Sequence, residues 1–246
     1  MTAFDPCAVI PVYDHEHAVG AVVAGLRSAG LPCYLVDDGS AAPCAARLDQ
    51  IAARDPGVRL LRLPRNTGKG AAVTAGLRAA AGDGRTHALQ IDADGQHDGA
   101  DVGRFLGEAR LFPAAVVCGR PVFDDSIPAA RRYGRYLTHA MVWVNTLSLE
   151  IPDAMCGFRV YPLSPVLELL NRIAIGSRMD FDVELMVRLH WNGVPMRWLD
   201  TRVSYPSDGV SHFRPWSDNV RITAMHTRLF FGMLARLPTL LARSGP

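Results

Sequence analysis

The strongest constraint on the fold is a regular alternation of short apolar runs with helical patterns in the first half of the chain. Apolar runs over residues 7–12, 33–36, 58–63 and 87–91 predict four strands, and the stretches 16–29, 43–54 and 70–81 predict helices between them. Strands that alternate with helices of this length form right-handed β-α-β units, which build a mainly parallel sheet. The sequence therefore predicts an α/β fold with helices flanking a central sheet.

Polar clusters follow three of the four predicted strands. They are Tyr13-Asp14-His15 after the first strand, Asp37-Asp38-Gly39-Ser40 after the second, and Asp92-Ala93-Asp94-Gly95-Gln96-His97 after the fourth. Ligands of parallel α/β sheets bind beyond the carboxyl ends of the strands. We therefore expect these clusters to form one ligand site.

The Asp92-x-Asp94 pair follows an apolar strand, so both carboxylates emerge where the backbone leaves the sheet. Paired oxygen ligands of this kind suit Mg²⁺ or Mn²⁺, which substrate phosphates commonly share. An acidic turn that caps the next helix is the alternative. The spacing excludes an EF-hand loop, because Gln96, His97 and Gly103 occupy its fifth, sixth and twelfth positions.

A glycine-containing turn, Asn66-Thr67-Gly68-Lys69-Gly70, precedes the alanine-rich helical pattern. Glycines let a backbone approach a ligand closely, and a helix N-terminus favours an anion. The turn is not a Walker A loop, because no Gly lies five residues before Gly68 and no Ser or Thr follows Lys69. A plain strand-to-helix turn remains the alternative.

The composition is typical of one compact domain: 246 residues, 49% hydrophobic, 20% charged, with a formal net charge of +2. A near-neutral charge argues against a nucleic-acid binder. Lys69 is the single lysine among 26 Lys and Arg residues. The five cysteines are odd in number and include no C-x-x-C pair, which predicts free thiols in a reducing cytoplasm.

The second half of the chain is less regular than the first but contains no linker. This favours one domain over residues 1–215. Within it, residues 1–113 form a donor half and residues 114–215 an acceptor half. The patterns predict strands at 114–118 and 194–205 and helices at 132–149 and 182–191. Ser164-Pro165 is typical of an N-cap followed by a proline in the first helical turn.

The C-terminal region, residues 216–246, contains a predicted amphipathic helix over 216–237 that Pro238 ends. Arg221, Arg228 and Arg236 fall on one narrow side of it, and apolar residues cover much of the remainder. This pattern suits a helix lying in a membrane interface, and a helix packed on protein fits equally well. The chain lacks a secretory signal pattern and an apolar stretch of about 18 residues, so we expect a cytoplasmic protein that contacts the cytoplasmic membrane face through this helix.

The motifs, taken in order, resemble the family 2 glycosyltransferases of the GT-A fold, and most of all the dolichyl-phosphate-mannose-synthase-type branch. The matching segments are Pro11-Val12-Tyr13, Val36-Asp37-Asp38-Gly39-Ser40, Asn66-x-Gly68-Lys69-Gly70 with Gly76, Asp92-Ala93-Asp94-Gly95-Gln96-His97, Gly119-Arg120, Asp153-x-x-Cys156-Gly157-Phe158-Arg159, Phe181-Asp182-x-Glu184-Leu185 and Gly209-Val210-Ser211. Each motif is common, whereas their joint order over residues 7–215 is specific.

The resemblance implies a nucleotide-sugar donor linked to UDP, GDP or dTDP. The donor-binding residues it implies are Pro11, Tyr13, Asp37, Asp38, Lys69, Asp92, Ala93 and Arg159. It further implies that Asp92, Asp94 and Gln96 hold the metal, Mg²⁺ or Mn²⁺, and that Arg120 and Arg159 meet phosphate charge. Asp94, Asp153, Asp182 and Arg120 are the catalytic candidates.

The acceptor decides whether a general base is needed. A hydroxyl must lose a proton, so a carboxylate should lie within reach of it, whereas a lipid phosphate is already an anion. The candidate bases are Asp153, Asp180, Asp182 and Glu184. The Glu-Asp pair usual in relatives with hydroxyl acceptors is absent, which favours a polyprenyl phosphate.

Two departures from the lipid-phosphate branch oppose this preference. Asp14-His15 replaces its usual Asn-Glu, and the late basic motif is altered over residues 205–214, where Arg214 or His212 would replace the lost charge. A hydroxyl of a lipid or a polyene-type metabolite is therefore the alternative acceptor.

Two functions other than glycosyl transfer are also compatible with these motifs. They are a nucleotide-sugar-binding protein without turnover and a metal-dependent phosphatase.

Overall fold

The computed structural model of the chain describes residues 3–123, 129–203 and 215–243, with the side chains of 129–132, 215 and 243 outside that description. The run 205–214, which contains His212 and Arg214, lies outside the described residues. The strands are β1 (Pro6–Val12), β2 (Cys33–Asp37), β3 (Val58–Arg62), β4 (His87–Gln90), β5 (Val116–Phe123), β6 (Arg159–Pro162) and β7 (Met196–Val203). The helices are α1 (Val19–Ser28), α2 (Ala42–Arg54), α3 (Lys69–Gly82), α4 (Val102–Leu111), α5 (Ala129–Thr146), α6 (Leu163–Arg172), α7 (Phe181–Trp191), α8 (Pro215–Leu234) and α9 (Leu237–Arg243).

The seven strands form one sheet in the order β3-β2-β1-β4-β6-β5-β7. β6 runs antiparallel to both of its neighbours, and the other neighbouring pairs are parallel. The predicted mainly parallel α/β sheet is therefore confirmed. β6 was not predicted, because a four-residue run with Arg at its start and Pro at its end carries little apolar signal.

Alternate residues of each strand fill a core on each side of the sheet. In β1, Val9 belongs to the core that includes buried residues of α3, α7 and α8, and Ile10 belongs to the core that includes buried residues of α1, α2 and α4. Gly76 lets α3 approach the sheet, since a Cβ there would lie 2.4 Å from the Val9 side chain. The five cysteines are free, as predicted, and the structure shows that all five are buried.

Several predicted boundaries in the second half are wrong. β5 extends to Phe123, five residues past the predicted end, because it pairs with β7 along its whole length. α6 begins at Leu163 with Pro162 as its N-cap, so Ser164 and Pro165 lie within its first turn. A proline is tolerated there because the first helical N–H groups lack intrahelical partners.

The C-terminal segment is two helices instead of the single predicted one. α8 ends at Leu234, and Pro238 lies in the first turn of α9. One face of α8, with Met225 and Leu229 fully buried, packs against α5 and α7. Among the described residues, no helix is long and apolar enough to cross a membrane.

Candidate active site

The candidate site lies where β1, β2 and β4 end, at one edge of the sheet. Val12 at the end of β1 pairs with Asp37 at the end of β2, and Val9 pairs with Gln90 at the end of β4. Because the three strands are parallel, the loops that follow them leave the sheet at the same edge. The three polar clusters therefore belong to one edge, as the sequence predicts.

Asp14 ties the loop after β1 to the loop after β2. Its backbone N–H donates to Ser40 Oγ (3.2 Å), and its carboxylate accepts a hydrogen bond from the backbone N–H of Ala41 (2.7 Å). Its φ of +53° lies in the left-handed region, which Asp adopts more readily than most residues. Of the predicted nucleoside-binding pair on this strand, Pro11 is buried in β1 and Tyr13 is half-buried. Only the Tyr13 side chain therefore offers accessible surface to a nucleoside.

Asp37 and Asp38 are buried carboxylates that hold turns together. Asp37 accepts a hydrogen bond from Arg62 Nε (2.9 Å). Asp38 accepts from the backbone N–H groups of Thr67 (2.7 Å) and Gly68 (2.8 Å), which fixes the glycine-containing turn. Both aspartates thus contact protein groups in this structure, and the nucleoside contact that the resemblance implies for them stays a prediction.

Residues of the acceptor half pack against the glycine-containing turn. Gly68 has a φ of +107°, and a Cβ there would lie 2.5 Å from the Ser177 carbonyl oxygen, so this position requires glycine. The Arg178 guanidinium donates to Asn66 Oδ1 (2.8 Å). The segment before α7 therefore fixes the turn that begins α3, a contact between residues about 110 positions apart that no local pattern indicates.

Lys69 and Asp92 form an ion pair in the middle of the site. Lys69 Nζ lies 2.7 Å from Asp92 Oδ1, 2.8 Å from Oδ2 and 3.1 Å from Asp182 Oδ2. Burial would raise the pKa of Asp92, but the Lys69 charge holds it below its ordinary value. The Lys69 ammonium therefore contacts two carboxylates of the chain. The resemblance implies that Lys69 also binds the donor.

Asp94 provides the second carboxylate of the loop. It accepts a hydrogen bond from the backbone N–H of Gln96 (3.0 Å), and Ala93 between the two aspartates is buried. Burial raises the pKa of Asp94, and the neighbouring Asp92 charge raises it further. A cation bound here would relieve that repulsion, so the pair fits a divalent ion.

Within the described residues, no group of three or more His, Cys, Asp and Glu side chains is arranged to hold a metal ion. Asp92 and Asp94 are thus a pair of candidate ligands, and Gln96 is the third residue of the chain that the resemblance assigns to the metal. A site with two carboxylates from the chain suits Mg²⁺ and Mn²⁺, because these ions are often bound by one or two carboxylates together with phosphate oxygens.

Asp153 lies in a separate buried cluster with two residues of α5 that the sequence analysis missed. Its carboxylate pairs with Arg135 Nε (3.1 Å) and lies 3.3 Å from His139 Nε2. The backbone N–H groups of Met155 and Cys156 also donate to it (2.8 Å each). Burial would raise the pKa of Asp153, but His139 and Arg135 hold it well below its ordinary value. The four-residue spacing of Arg135 and His139 on one helix face is the signal that would have indicated them.

The two arginines that the resemblance places at phosphates are paired with protein groups. Arg120 is half-exposed on β5 and contacts Asp200 on β7 through Nε (2.5 Å) and Nη2 (3.0 Å). Arg159 is 0% exposed, and its guanidinium donates to Asp182, Tyr161 Oη and the Ala154 carbonyl. The Arg159 guanidinium is thus enclosed by protein groups in this structure, and its contact with a donor phosphate stays a prediction.

Proteins with known functions are similar in sequence to most of this chain. It is 26% identical over 212 residues to a dolichyl-phosphate beta-glucosyltransferase from Dictyostelium discoideum, covering 81% of this chain and 62% of that protein. It is 27% identical to an undecaprenyl-phosphate mannosyltransferase from Micrococcus luteus, covering 73% of this chain and 75% of that protein. The chain thus spans less than two thirds of the dolichyl-phosphate enzyme.

A solved structure confirms the predicted GT-A fold. The glucosyl-3-phosphoglycerate synthase from Mycobacterium tuberculosis, crystallised with Mn²⁺ and uridine-diphosphate-glucose, matches with a TM-score of 0.65 at 14% identity. The match covers 95% of this chain and 79% of that one. The family model described as Glycosyl transferase family 2 matches residues 7–170, which are two thirds of the chain and contain β2 to β6 in full and β1 from its second residue. The chain therefore belongs to glycosyl transferase family 2.

Proposed function

We propose that the chain transfers a sugar, with inversion, from a nucleotide-diphosphate donor to a polyprenyl phosphate in a reaction that requires Mg²⁺ or Mn²⁺. The observation that carries the proposal is the Asp92 and Asp94 pair at the edge where β1, β2 and β4 end, beside the glycine-containing turn. Family membership supports transfer of a glycosyl group.

The cation would be held by Asp92 and Asp94, with Gln96 as the third candidate ligand from the chain. When bound, it neutralises the negative charge that develops on the leaving diphosphate. The chain's own part is to keep both carboxylates in place: Lys69 pairs with Asp92, and the backbone N–H of Gln96 donates to Asp94. Tyr13 and the turn that Asp38 holds are the candidate contacts for the nucleoside.

The four candidate bases support a phosphate acceptor because each is buried and already paired. Asp153 contacts Arg135 and His139, and Asp182 contacts Lys69 and Arg159. Glu184 accepts from Arg188 and Arg228, and Asp180 accepts from the backbone N–H of Arg178. A carboxylate with a lowered pKa, as at Asp153, is a poor proton acceptor. A lipid phosphate needs no base, and the Micrococcus luteus and Dictyostelium discoideum relatives are named for such acceptors.

Thermal-shift measurements with UDP-glucose, GDP-mannose and dTDP-glucose, each with and without Mn²⁺, test the donor site. A ligand that binds only the folded state raises the melting temperature, by an amount that grows with the ratio of ligand concentration to Kd. We expect one of the three to stabilise the chain only when Mn²⁺ is present.

Transfer to a short-chain polyprenyl phosphate in a detergent assay then separates an enzyme from a binding protein. Glycosylation of the unphosphorylated polyprenol instead would favour the hydroxyl acceptor, and release of phosphate from simple monoesters would favour a phosphatase. A chain that none of the three donors stabilises contradicts the assignment of the donor site.

The acceptor would reach the site from a membrane surface that touches the outer faces of α5 and α8. Trp216 is 86% and Phe231 64% exposed on α8, although its other face is buried. On α5, Tyr133 and Leu137 are exposed one helical turn apart. Exposed aromatic side chains on a helix favour the interfacial region of a bilayer. Under this proposal, α8 packs on the protein with one face and contacts the membrane with the other.

Co-sedimentation with vesicles of phosphatidylcholine and phosphatidylglycerol tests this contact. The double variant Trp216→Ser/Phe231→Ser is expected to bind on the order of a hundred-fold more weakly or worse, since burying each such side chain contributes about 1.5–3 kcal/mol and about 1.4 kcal/mol corresponds to ten-fold in affinity. Leu111→Ser, which alters an exposed apolar residue of α4, is the matched control and should sediment as the unmodified chain does. Equal sedimentation of all three proteins contradicts membrane contact through α8.

A further inference from the structure

Four charged side chains form a continuous cluster that begins at the loop containing Asp92: Lys69 and Asp92 are partly buried, and Asp182 and Arg159 are buried. Lys69 Nζ lies 2.7 Å from Asp92 Oδ1 and 3.1 Å from Asp182 Oδ2, and Arg159 Nη1 lies 3.3 Å from Asp182 Oδ1. Carboxylates and cations alternate along the cluster, so its formal charge is zero. Removing any one member leaves a buried charge without compensation.

The cluster joins the donor half of the chain to the acceptor half. Lys69 is the first residue of α3, Asp182 lies in the first turn of α7, and Arg159 begins β6. Gln90, the last residue of β4, donates to Asp182 Oδ1 (3.0 Å). Asp182 is therefore held by Lys69, Arg159 and Gln90 from three separate elements, and its carboxylate has a fixed position relative to the sheet.

Gly157 closes the cluster on the side of the Asp92 loop. A Cβ at this position would lie 2.7 Å from both Asp92 Oδ2 and Lys69 Nζ, so any larger residue would displace the ion pair. The glycine of the Cys156-Gly157-Phe158 motif is thus explained by the space that the Lys69–Asp92 pair needs.

We propose that Asp182 is a positioning residue for donor binding: it holds the Lys69 ammonium against Asp92 and thereby fixes the first carboxylate of the Asp-x-Asp pair. The inference rests on the proposed function, because the position of Asp92 matters to the donor only if the chain binds a nucleotide sugar. It reassigns Asp182, a candidate general base in the sequence, to a residue that acts through Lys69 and touches no substrate.

A double-mutant cycle on donor affinity tests the proposal. Calorimetric titration with UDP-glucose, GDP-mannose and dTDP-glucose in the presence of Mn²⁺ gives Kd for the unmodified chain, Asp182→Asn, Lys69→Met and the double variant. We expect Asp182→Asn to raise Kd on the order of ten-fold, which corresponds to about 1.4 kcal/mol. In the Lys69→Met background the same substitution should change Kd little, because the residue through which Asp182 acts is gone.

Two further variants keep the test independent of folding defects. Gly157→Ala removes no charge but crowds the same ion pair, so it should also raise the donor Kd, whereas the acceptor KM stays unchanged. Asp55→Asn is the control, since that carboxylate also pairs with an arginine and a backbone N–H but lies in the turn before β3. It should bind the donor as the unmodified chain does.

Three outcomes decide the matter. An unchanged donor Kd in Asp182→Asn, with kcat lowered by about 10²-fold or more, would make Asp182 a general base and overturn the proposal. Equal effects of Asp182→Asn with Lys69 present and absent would show that Asp182 does not act through Lys69, and would also overturn it. An unmodified chain that binds none of the three donors overturns the proposed function, and this inference with it.

Discussion

Asp94→Asn is expected to lower kcat/KM for sugar transfer by about a hundred-fold or more, the usual effect of removing one group that stabilises developing charge. Asp94 is the carboxylate of the pair that has no cationic partner among the described ion pairs, whereas Asp92 is compensated by Lys69. The asparagine keeps the shape of the side chain and its hydrogen bond to the backbone N–H of Gln96 but loses the charge that a divalent cation requires. Steady-state assays at several Mn²⁺ concentrations measure the effect.

The matched control for this substitution is Asp98→Asn, four residues along the same loop. Asp98 caps the 3₁₀ turn at Gly99–Asp101 through the backbone N–H of Ala100 (2.9 Å), and asparagine caps such a turn equally well. We expect Asp98→Asn to retain the activity of the unmodified chain, and both variants to retain its melting temperature without ligands. Full activity in Asp94→Asn would remove the Asp-x-Asp pair from the mechanism.

Periodicity along the chain predicts the first half of this fold well because each element there is long enough to carry its own signal. β1 to β4 and α1 to α3 agree with their predicted ranges to within about three residues at either end. β6 has four residues, and β5 continues through Gly119 and Pro121, which are poor strand formers. Pairing with β7 overrides that local preference, and pairing between distant segments is invisible to a local pattern.

In the candidate site, too, the motifs identify some residues, whereas the contacts between distant segments appear only in the fold. The motifs identify Asp92 and Asp94, and the structure places them where the parallel sheet predicts. The partners of the charged residues that the motifs identify come from distant parts of the chain: Asp182 pairs with Lys69, and Arg135 pairs with Asp153. Arg159, which the resemblance assigns to a donor phosphate, is fully buried here and donates to protein groups, a set of contacts that no motif indicates.

Arg159→Met is expected to lower the free energy of unfolding by about 3 kcal/mol, the size of effect that follows when one partner of a buried ion pair is removed. Arg159 is fully buried, and its guanidinium donates to Asp182, Tyr161 Oη and the Ala154 carbonyl oxygen. Methionine fills much of the same volume but satisfies none of these acceptors. Urea denaturation at pH 7, followed by circular dichroism, measures the loss as a lower midpoint with an unchanged slope.

Arg59→Met provides the comparison because it removes the same side chain from an exposed ion pair with Asp83. Exposed pairs contribute little, since water solvates the remaining partner. We therefore expect a far smaller change in the midpoint for Arg59→Met than for Arg159→Met. Equal changes in the midpoint would mean that Arg159 contributes no more than an exposed surface charge does. The cluster of Asp92, Lys69, Asp182 and Arg159 would then not account for the attachment of β6 and α7 to the donor half.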